Sequence, residues 1–163
     1  MFIHKIESVD SIAVRARELK ARGQRIVFTN GCFDILHGGH IELFRACRGR
    51  GDVLIVGINS DPSVRRLKGD GRPIFDQEER AEVLAAMEPV DYVCIFEEDT
   101  PLETILKIQP DVLVKGSDWA EKGIVGQEEV EGWGGEVVAV PLIEGRSSTD
   151  VVRRVISRLG AAR

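Results

Sequence analysis

The chain has 163 residues, 43% of them hydrophobic and 30% charged, enough apolar content for one globular domain with a full core. Its net charge of −5 argues against a nucleic-acid-coating protein, which would carry a basic face. No apolar run approaches the roughly 20 residues that span a bilayer, which excludes a transmembrane helix.

Met1-Phe-Ile-His-Lys-Ile-Glu lacks a signal-peptide profile. Residues 8–22 predict an amphipathic helix, with Ile12, Ala16 and Leu19 at helical spacing and Gly23 as its stop. Arg25–Thr29 predicts a short buried strand. It runs into Thr29-Asn-Gly-Cys-Phe-Asp-Ile-Leu-His37-Gly-Gly-His40-Ile41, a small-residue turn, then a helix over 40–49 through Ile41, Phe44 and Cys47. Val53–Asn59 is a continuous apolar run that suits a parallel strand covered on both faces. Ser60–Phe75 is a polar stretch carrying Lys68-Gly-Asp-Gly-Arg72-Pro, with Lys68 in a Gly/Asp-rich loop, and Asp76-Gln-Glu-Glu79 reads as the cap of a helix to Met87. Strand-like runs recur at Tyr92–Phe96, Val112–Lys115 and Glu136–Pro141, separated by helical segments near 101–108 and 126–133. A last helix begins around Ser148 and uses Val151, Val152, Val155, Ile156 and Leu159.

Strands alternating with helices predict a doubly wound, Rossmann-like α/β fold with a five-stranded parallel sheet, as a single domain over 1–163 with a helical extension at 1–24. Three cysteines (Cys32, Cys47, Cys94) without a C-x-x-C pair make a disulfide framework or cysteine zinc site unexpected and a reducing cytoplasm the expected compartment. Ligands in such sheets bind at the carboxyl ends of strands, where His37 and His40 follow the first strand. No G-x-G-x-x-G follows that strand and no P-loop motif occurs, so the usual dinucleotide and P-loop readings lose their support.

Two histidines three apart, at a junction of free backbone N–H groups, point to a phosphate site. Both rings can donate to phosphoryl oxygens, and a near-neutral pKa lets them carry charge when an anion arrives. Gly31, Gly38 and Gly39 permit close approach of the nucleotide. Arg146-Ser147-Ser148-Thr149 before the last helix reads as a helix cap and as a cradle for outgoing pyrophosphate. Arg80, expected on one inward face with Val83, Leu84 and Met87, fits a triphosphate clamp or a structural ion pair. Lys68 is either solvated or a lid residue that closes over phosphate. Lys115, Gly116, Asp118 and Trp119 follow a strand end and suit base or substrate recognition, although Trp119 equally fits a core anchor. Asp34 and Asp61 suit a substrate hydroxyl, a magnesium-bound water, or a hydrogen-bonded turn.

Together these residues resemble the cytidylyltransferase-like nucleotidyltransferase family over residues 25–158. His37-Gly-Gly-His40 carries the superfamily's H-x-G-H signature. Asn59-Ser-Asp, Leu67-Lys-Gly-Asp, Glu79-Arg80, Val90-Asp-Tyr-Val, Phe96-Glu-Glu-Asp-Thr-Pro101, Pro110-Asp-Val-Leu-Val-Lys-Gly116 and Gly132-Trp-Gly-Gly135 extend the likeness to the adenylyltransferase domains of bacterial ADP-heptose synthases. The resemblance implies transfer of AMP from ATP to D-glycero-β-D-manno-heptose 1-phosphate, releasing pyrophosphate and supplying lipopolysaccharide core synthesis. It implies a catalytic core over 25–158, with His37, His40, Lys68 and Arg80 as catalytic groups. Nucleotide contacts fall to Gly31, Cys32, Phe33, His37, Gly39, His40, Lys115, Gly116, Arg146, Ser147, Ser148 and Thr149. Acceptor contacts fall to Asp34, Asp61, Lys68, Asp118 and Trp119. Mg²⁺ bound mainly through nucleotide phosphates, no metal-binding protein residue, a nucleoside triphosphate and a sugar phosphate as partners, and a homodimer complete the expectation, with no nucleic acid and no membrane involved. In many relatives a sugar-kinase domain precedes this one, so the chain corresponds to a stand-alone transferase or to one domain of a longer protein. Relatives often place an apolar residue before the Ser/Thr pair where Arg146-Ser147 stands here. The rival readings are a CTP-dependent cytidylyltransferase acting on a polyol phosphate or phosphonate, and a nucleotide-binding domain without turnover.

Overall fold

The computed structural model describes residues 2–116, 123–141 and 147–160. After a 3₁₀ turn at Ile3–Lys5, helix α1 (Val9–Ala21) starts at Ser8, whose hydroxyl accepts from the Ser11 N–H at 3.2 Å, and buries Ile12, Ala13 and Ala16. The remaining elements run β1 (Ile26–Gly31), α2 (Gly38–Arg48), β2 (Val53–Asn59), α3 (Asp61–Lys68), α4 (Gln77–Ala85), β3 (Tyr92–Phe96), α5 (Leu102–Ile108), β4 (Val112–Gly116), α6 (Gln127–Gly132), β5 (Glu136–Val140) and α7 (Ser148–Gly160).

All five strands are parallel, in the order β3-β2-β1-β4-β5, so the expected doubly wound sheet is present. Successive side chains of a strand face opposite ways, and β1 divides its apolar residues accordingly. Val27 packs with Phe44, Cys47, Leu54, Val56 and Leu84 on the α2/α4 face. Phe28 packs with Ile12, Ala16, Ile55, Ile105 and Ile108 on the α1/α5 face. Burial pushes the Cys47 and Cys94 thiols up to about 12, which keeps both inert within this core.

Three aspartates immediately before strands fasten the amino edge of the sheet. Asp52 accepts from the Arg25 N–H at 2.7 Å, Asp91 from Leu54 at 2.8 Å and Asp111 from Ile26 at 2.8 Å. Each ties the start of one strand to its neighbour, at the end opposite the candidate site.

Two expectations change. The polar stretch over 60–75, where Lys68 was expected in a Gly/Asp-rich loop, begins with α3 and places Lys68 at its last position, because Ser60 caps Ser63, Pro62 sits in the first turn, and Gly69 ends the helix at φ 94°. Val83 is 48% exposed, so the inward face of α4 is Arg80, Ala81, Leu84 and Ala85. Helix α7 forms where expected but buries none of its residues, and Val155, Ile156 and Leu159 face solvent.

Candidate active site

The strand order reverses between β1 and β4, and the carboxyl ends of these two strands form the floor of the site. His37 is the N-cap of α2. Its Nδ1 accepts from the Gly39 N–H at 3.1 Å, while the His37 N–H donates to Nδ1 of His40 at 3.3 Å. The pair is a capping box in which two imidazoles replace the usual Ser/Thr and Glu/Gln. The rings lie 3.9 Å apart between centroids, tilted by 34°.

This arrangement corrects the expectation that free backbone N–H groups would receive an anion here. Gly39 donates to His37 Nδ1 and His40 donates to the His37 carbonyl, so both amides are already used. With each Nδ1 accepting, the proton of each neutral ring resides on Nε2. The anion-binding capacity of the helix end is thereby relayed to the two imidazole edges. Burial, and secondarily the neighbouring His37, push the His40 pKa down to about 4. At neutral pH His40 is therefore an uncharged N–H donor rather than a near-neutral titrating group.

The amino end of α7 closes on the same turn. Ser148 Oγ donates to the Ile35 carbonyl at 3.0 Å. Ser147 caps the helix, accepting from the Asp150 N–H at 3.0 Å and donating to its carboxylate at 2.6 Å. Thr149 is exposed in the first turn. Two helix N-termini thus meet at one sheet edge, where their dipoles both favour negative charge.

Lys115, buried at the end of β4, donates to Asn30 Oδ1 at 2.8 Å and to the Asn30 carbonyl at 3.2 Å. Gly116 ends that strand beside it. Lys68 is exposed at the last position of α3 and makes no hydrogen bond or ion pair with the other described residues. The Cys32 thiol registers this surround: burial raises its pKa, while Lys68, Arg80 and Lys115 act to lower it. Arg80, on the Cys32 carbonyl, and Lys115, on Asn30, thus bring two cations against the turn after β1. Gly31 lies flat against the Phe33 ring, since a Cβ there would sit 3.2 Å from Phe33 Cε2.

Arg80 occupies the structural ion pair weighed above rather than an open phosphate position. Its side chain is fully buried, and Nη2 lies 2.7 Å from Asp61 Oδ1. Nε donates to the Phe75 carbonyl at 3.1 Å, Nη1 to the Cys32 carbonyl, and Nη2 also to Asn59 at 2.9 Å. The guanidinium joins the turn after β1, the end of β2 and the start of α4, with its fork filled by protein acceptors. Asp61 is accordingly held by Arg80. Asp34, also buried, accepts from Ile74 N–H at 2.8 Å and Phe75 N–H at 3.0 Å and lies 2.9 Å from Arg72 Nη1. Both carboxylates hold chain segments in place, the turn-binding alternative. Asp118, Trp119 and Arg146 lie outside the described residues.

Asn30 was given no role from sequence, where its only signal was a polar residue at a strand end, yet it pins Lys115. Arg72, quoted above in Lys68-Gly-Asp-Gly-Arg72-Pro as part of a cation-bearing, turn-rich segment, clasps Asp34. Among the described residues, no group of three or more His, Cys, Asp or Glu could hold a metal ion, and no helix is long and apolar enough to cross a membrane. The donors gathered here, imidazole N–H and ammonium groups, suit phosphate oxygens.

Comparison with known proteins identifies the family. The sequence model of the cytidylyltransferase-like family matches residues 28–154. The bifunctional protein HldE of Pelobacter propionicus is 52% identical over 154 residues, covering 94% of this chain and 32% of its own. The HldE protein of Geobacter metallireducens is 49% identical over 156 residues, covering 96% of this chain and 32% of its own. The chain thus spans about a third of the length of these curated relatives. A crystal structure of the lipopolysaccharide core biosynthesis protein from Thermoplasma volcanium superposes with TM-score 0.59 at 29% identity, over 74% of this chain and 98% of that one. Pantoate-beta-alanine ligase from Francisella tularensis, complexed with beta-gamma ATP and beta-alanine, shares the fold at TM-score 0.63 and 18% identity, over 88% of this chain and 68% of its own.

Proposed function

The chain belongs to the cytidylyltransferase-like family, and from that premise we propose that it transfers AMP from ATP to D-glycero-β-D-manno-heptose 1-phosphate, giving ADP-heptose and pyrophosphate. The observation that carries the reaction class is the imidazole capping box of α2, set against the amino end of α7 at the β1/β4 edge. Half-identity to HldE proteins across most of this chain, together with the motif likeness described above, supports the heptose acceptor.

The acceptor phosphate oxygen attacks the α-phosphorus of ATP in line, forming the new P–O bond as the bond to the β-phosphate oxygen breaks. That nucleophile is already ionised at neutral pH, so no strong base is needed and catalysis is positioning plus charge stabilisation. His37 and His40 donate Nε2–H to oxygens of the α-phosphoryl group. Lys68 closes on the triphosphate, Lys115 supplies charge at the floor, and Thr149 with the α7 amino end receives the pyrophosphate. Arg80 and Asp34 act by holding the turn, α4 and the 72–75 segment in register. Asp118 and Trp119 remain candidates for the acceptor, and Arg146 for the phosphates. Mg²⁺, held through the triphosphate oxygens and water, would neutralise phosphate charge, with the residues above contacting the phosphates rather than the ion.

A cytoplasmic homodimer is part of this reading. The exposed stripe Val155, Ile156 and Leu159 on α7 is apolar surface that a monomer leaves in water, and light scattering reads the stoichiometry. The reaction is tested by pyrophosphate release with Mg²⁺ and heptose 1-phosphate, run with ATP and CTP in parallel. Release with ATP supports the proposal. Release with CTP alone keeps the mechanism and replaces the nucleotide, and nucleotide binding without release reduces the chain to a binding domain.

A further inference from the structure

Phe33 stands in the turn between β1 and α2 with φ 44°, in the left-handed region. A bulky residue held there costs on the order of 1–3 kcal/mol, and glycine or asparagine would adopt it more cheaply. The ring that this strained backbone presents is 6% exposed and confined on three sides. It meets His40 edge-to-face, with centroids 5.2 Å apart and planes at 65°. It leans on Phe44 at 5.5 Å and 41°. On the third side it lies beneath Gly31, where a Cβ would come within 3.2 Å.

His40 is consequently held from two directions: the Phe33 ring on one side and the His37 N–H on Nδ1 at 3.3 Å. The His37 ring, 3.9 Å away between centroids, is its further neighbour. We propose that Phe33 is a positioning residue for His40, a wall that fixes the imidazole so that Nδ1 faces the His37 amide and Nε2–H faces the reacting phosphate. This rests on the AMP-transfer reading and deepens it, assigning Phe33 to the histidine rather than to the nucleotide. The backbone strain is explained by the ring it places: a residue that relaxed the turn would leave His40 free to rotate and to exchange its two nitrogens.

The test compares the wild-type chain with Phe33→Leu, Phe33→Ala and Phe33→Gly. Leucine keeps most of the apolar volume, and glycine removes the ring while relieving the backbone, so at least one variant retains the fold. Nitrogen NMR of the His40 imidazole at neutral pH reads the tautomer without any turnover. The expected result is a dominant Nε2–H form in the wild type and a mixture of both forms in the variants. The kcat for AMP transfer falls by about 10²-fold in Phe33→Ala and Phe33→Gly, the scale of a misplaced catalytic group. Phe33→Leu retains more activity, and KM for ATP stays within about twofold in all three, because positioning leaves ground-state binding intact. An unchanged tautomer with unchanged kcat in a folded variant overturns the proposal. So does a raised KM at constant kcat, which makes Phe33 a direct nucleotide contact. If the wild type transfers nothing, the AMP-transfer reading falls while the tautomer comparison still decides the role of Phe33.

Discussion

Replacing Arg80 with methionine separates a scaffold from a phosphate clamp. The guanidinium makes four hydrogen bonds, to the Phe75, Cys32 and Asn59 carbonyls and to Asp61. Methionine fills similar volume but leaves those acceptors unpaired. Breaking a buried ion pair by removing one partner costs about 3–5 kcal/mol. Asp61 is still 20% exposed and regains some hydration, which places the expected loss near the lower end, about 3 kcal/mol. A domain of ordinary stability, roughly 5–15 kcal/mol, stays folded after that loss. Urea titration should therefore show a lower midpoint at unchanged slope. Steady-state kinetics should show kcat reduced more than KM for ATP is raised, since the turn bearing His37 and His40 loses its anchor at Cys32. Arg80→Lys should recover little, because a lysine cannot reproduce the fork. A variant of wild-type stability whose KM for ATP alone rises tenfold or more would refute the scaffold reasoning and restore the clamp.

Further outcomes follow from the same geometry. His40→Ala should lower kcat by about 10²–10³-fold, as for loss of one preorganised donor; wild-type turnover in the folded variant would remove His40 from the reaction. Thr149→Ala should weaken ATP binding about fivefold, the worth of one neutral hydrogen bond, with the helix intact because Ser147 carries the cap. Unchanged calorimetric affinity would limit Thr149 to the helix itself. His40 also sets an acid limit. Its folded pKa of about 4 lies below the ordinary 6.5, so the unfolded chain takes up the proton first as pH falls. Its contribution is intact above pH 6.5 and lost as pH approaches 4, by up to about 3 kcal/mol. His40→Gln should flatten that part of the stability–pH curve, and an identical slope in the variant would contradict it.

The sheet was legible because β2 is buried at all seven positions and therefore reads as an unbroken apolar run. The candidate site stood out at His37 and His40 because the capping box is local, its two residues three apart. Helix α3 was hidden because only Val64 supplies a buried apolar side chain, so no hydrophobic period shows; its signals were the Ser60 cap, Pro62 and Gly69. The roles of Asp34 and Arg80 were hidden for another reason. Asp34 meets Ile74 across 40 residues, and Arg80 meets Cys32 across 48, pairings that exist only once the turn after β1 packs against α4. The same holds for the Asn30–Lys115 contact, made 85 residues apart across neighbouring strands. For α7, the apolar period was read correctly as a helix, but periodicity does not say what a stripe packs against, and here it faces solvent.

The most direct measurement follows the label from ATP marked separately at the α- and γ-phosphorus, with heptose 1-phosphate and Mg²⁺. The account predicts the α-label in the sugar nucleotide and the γ-label in pyrophosphate, with both transfers lost together in His40→Ala. A γ-label appearing on the sugar, or an α-label that stays in ATP or appears only in free AMP or ADP, would contradict AMP transfer at the histidine-capped edge.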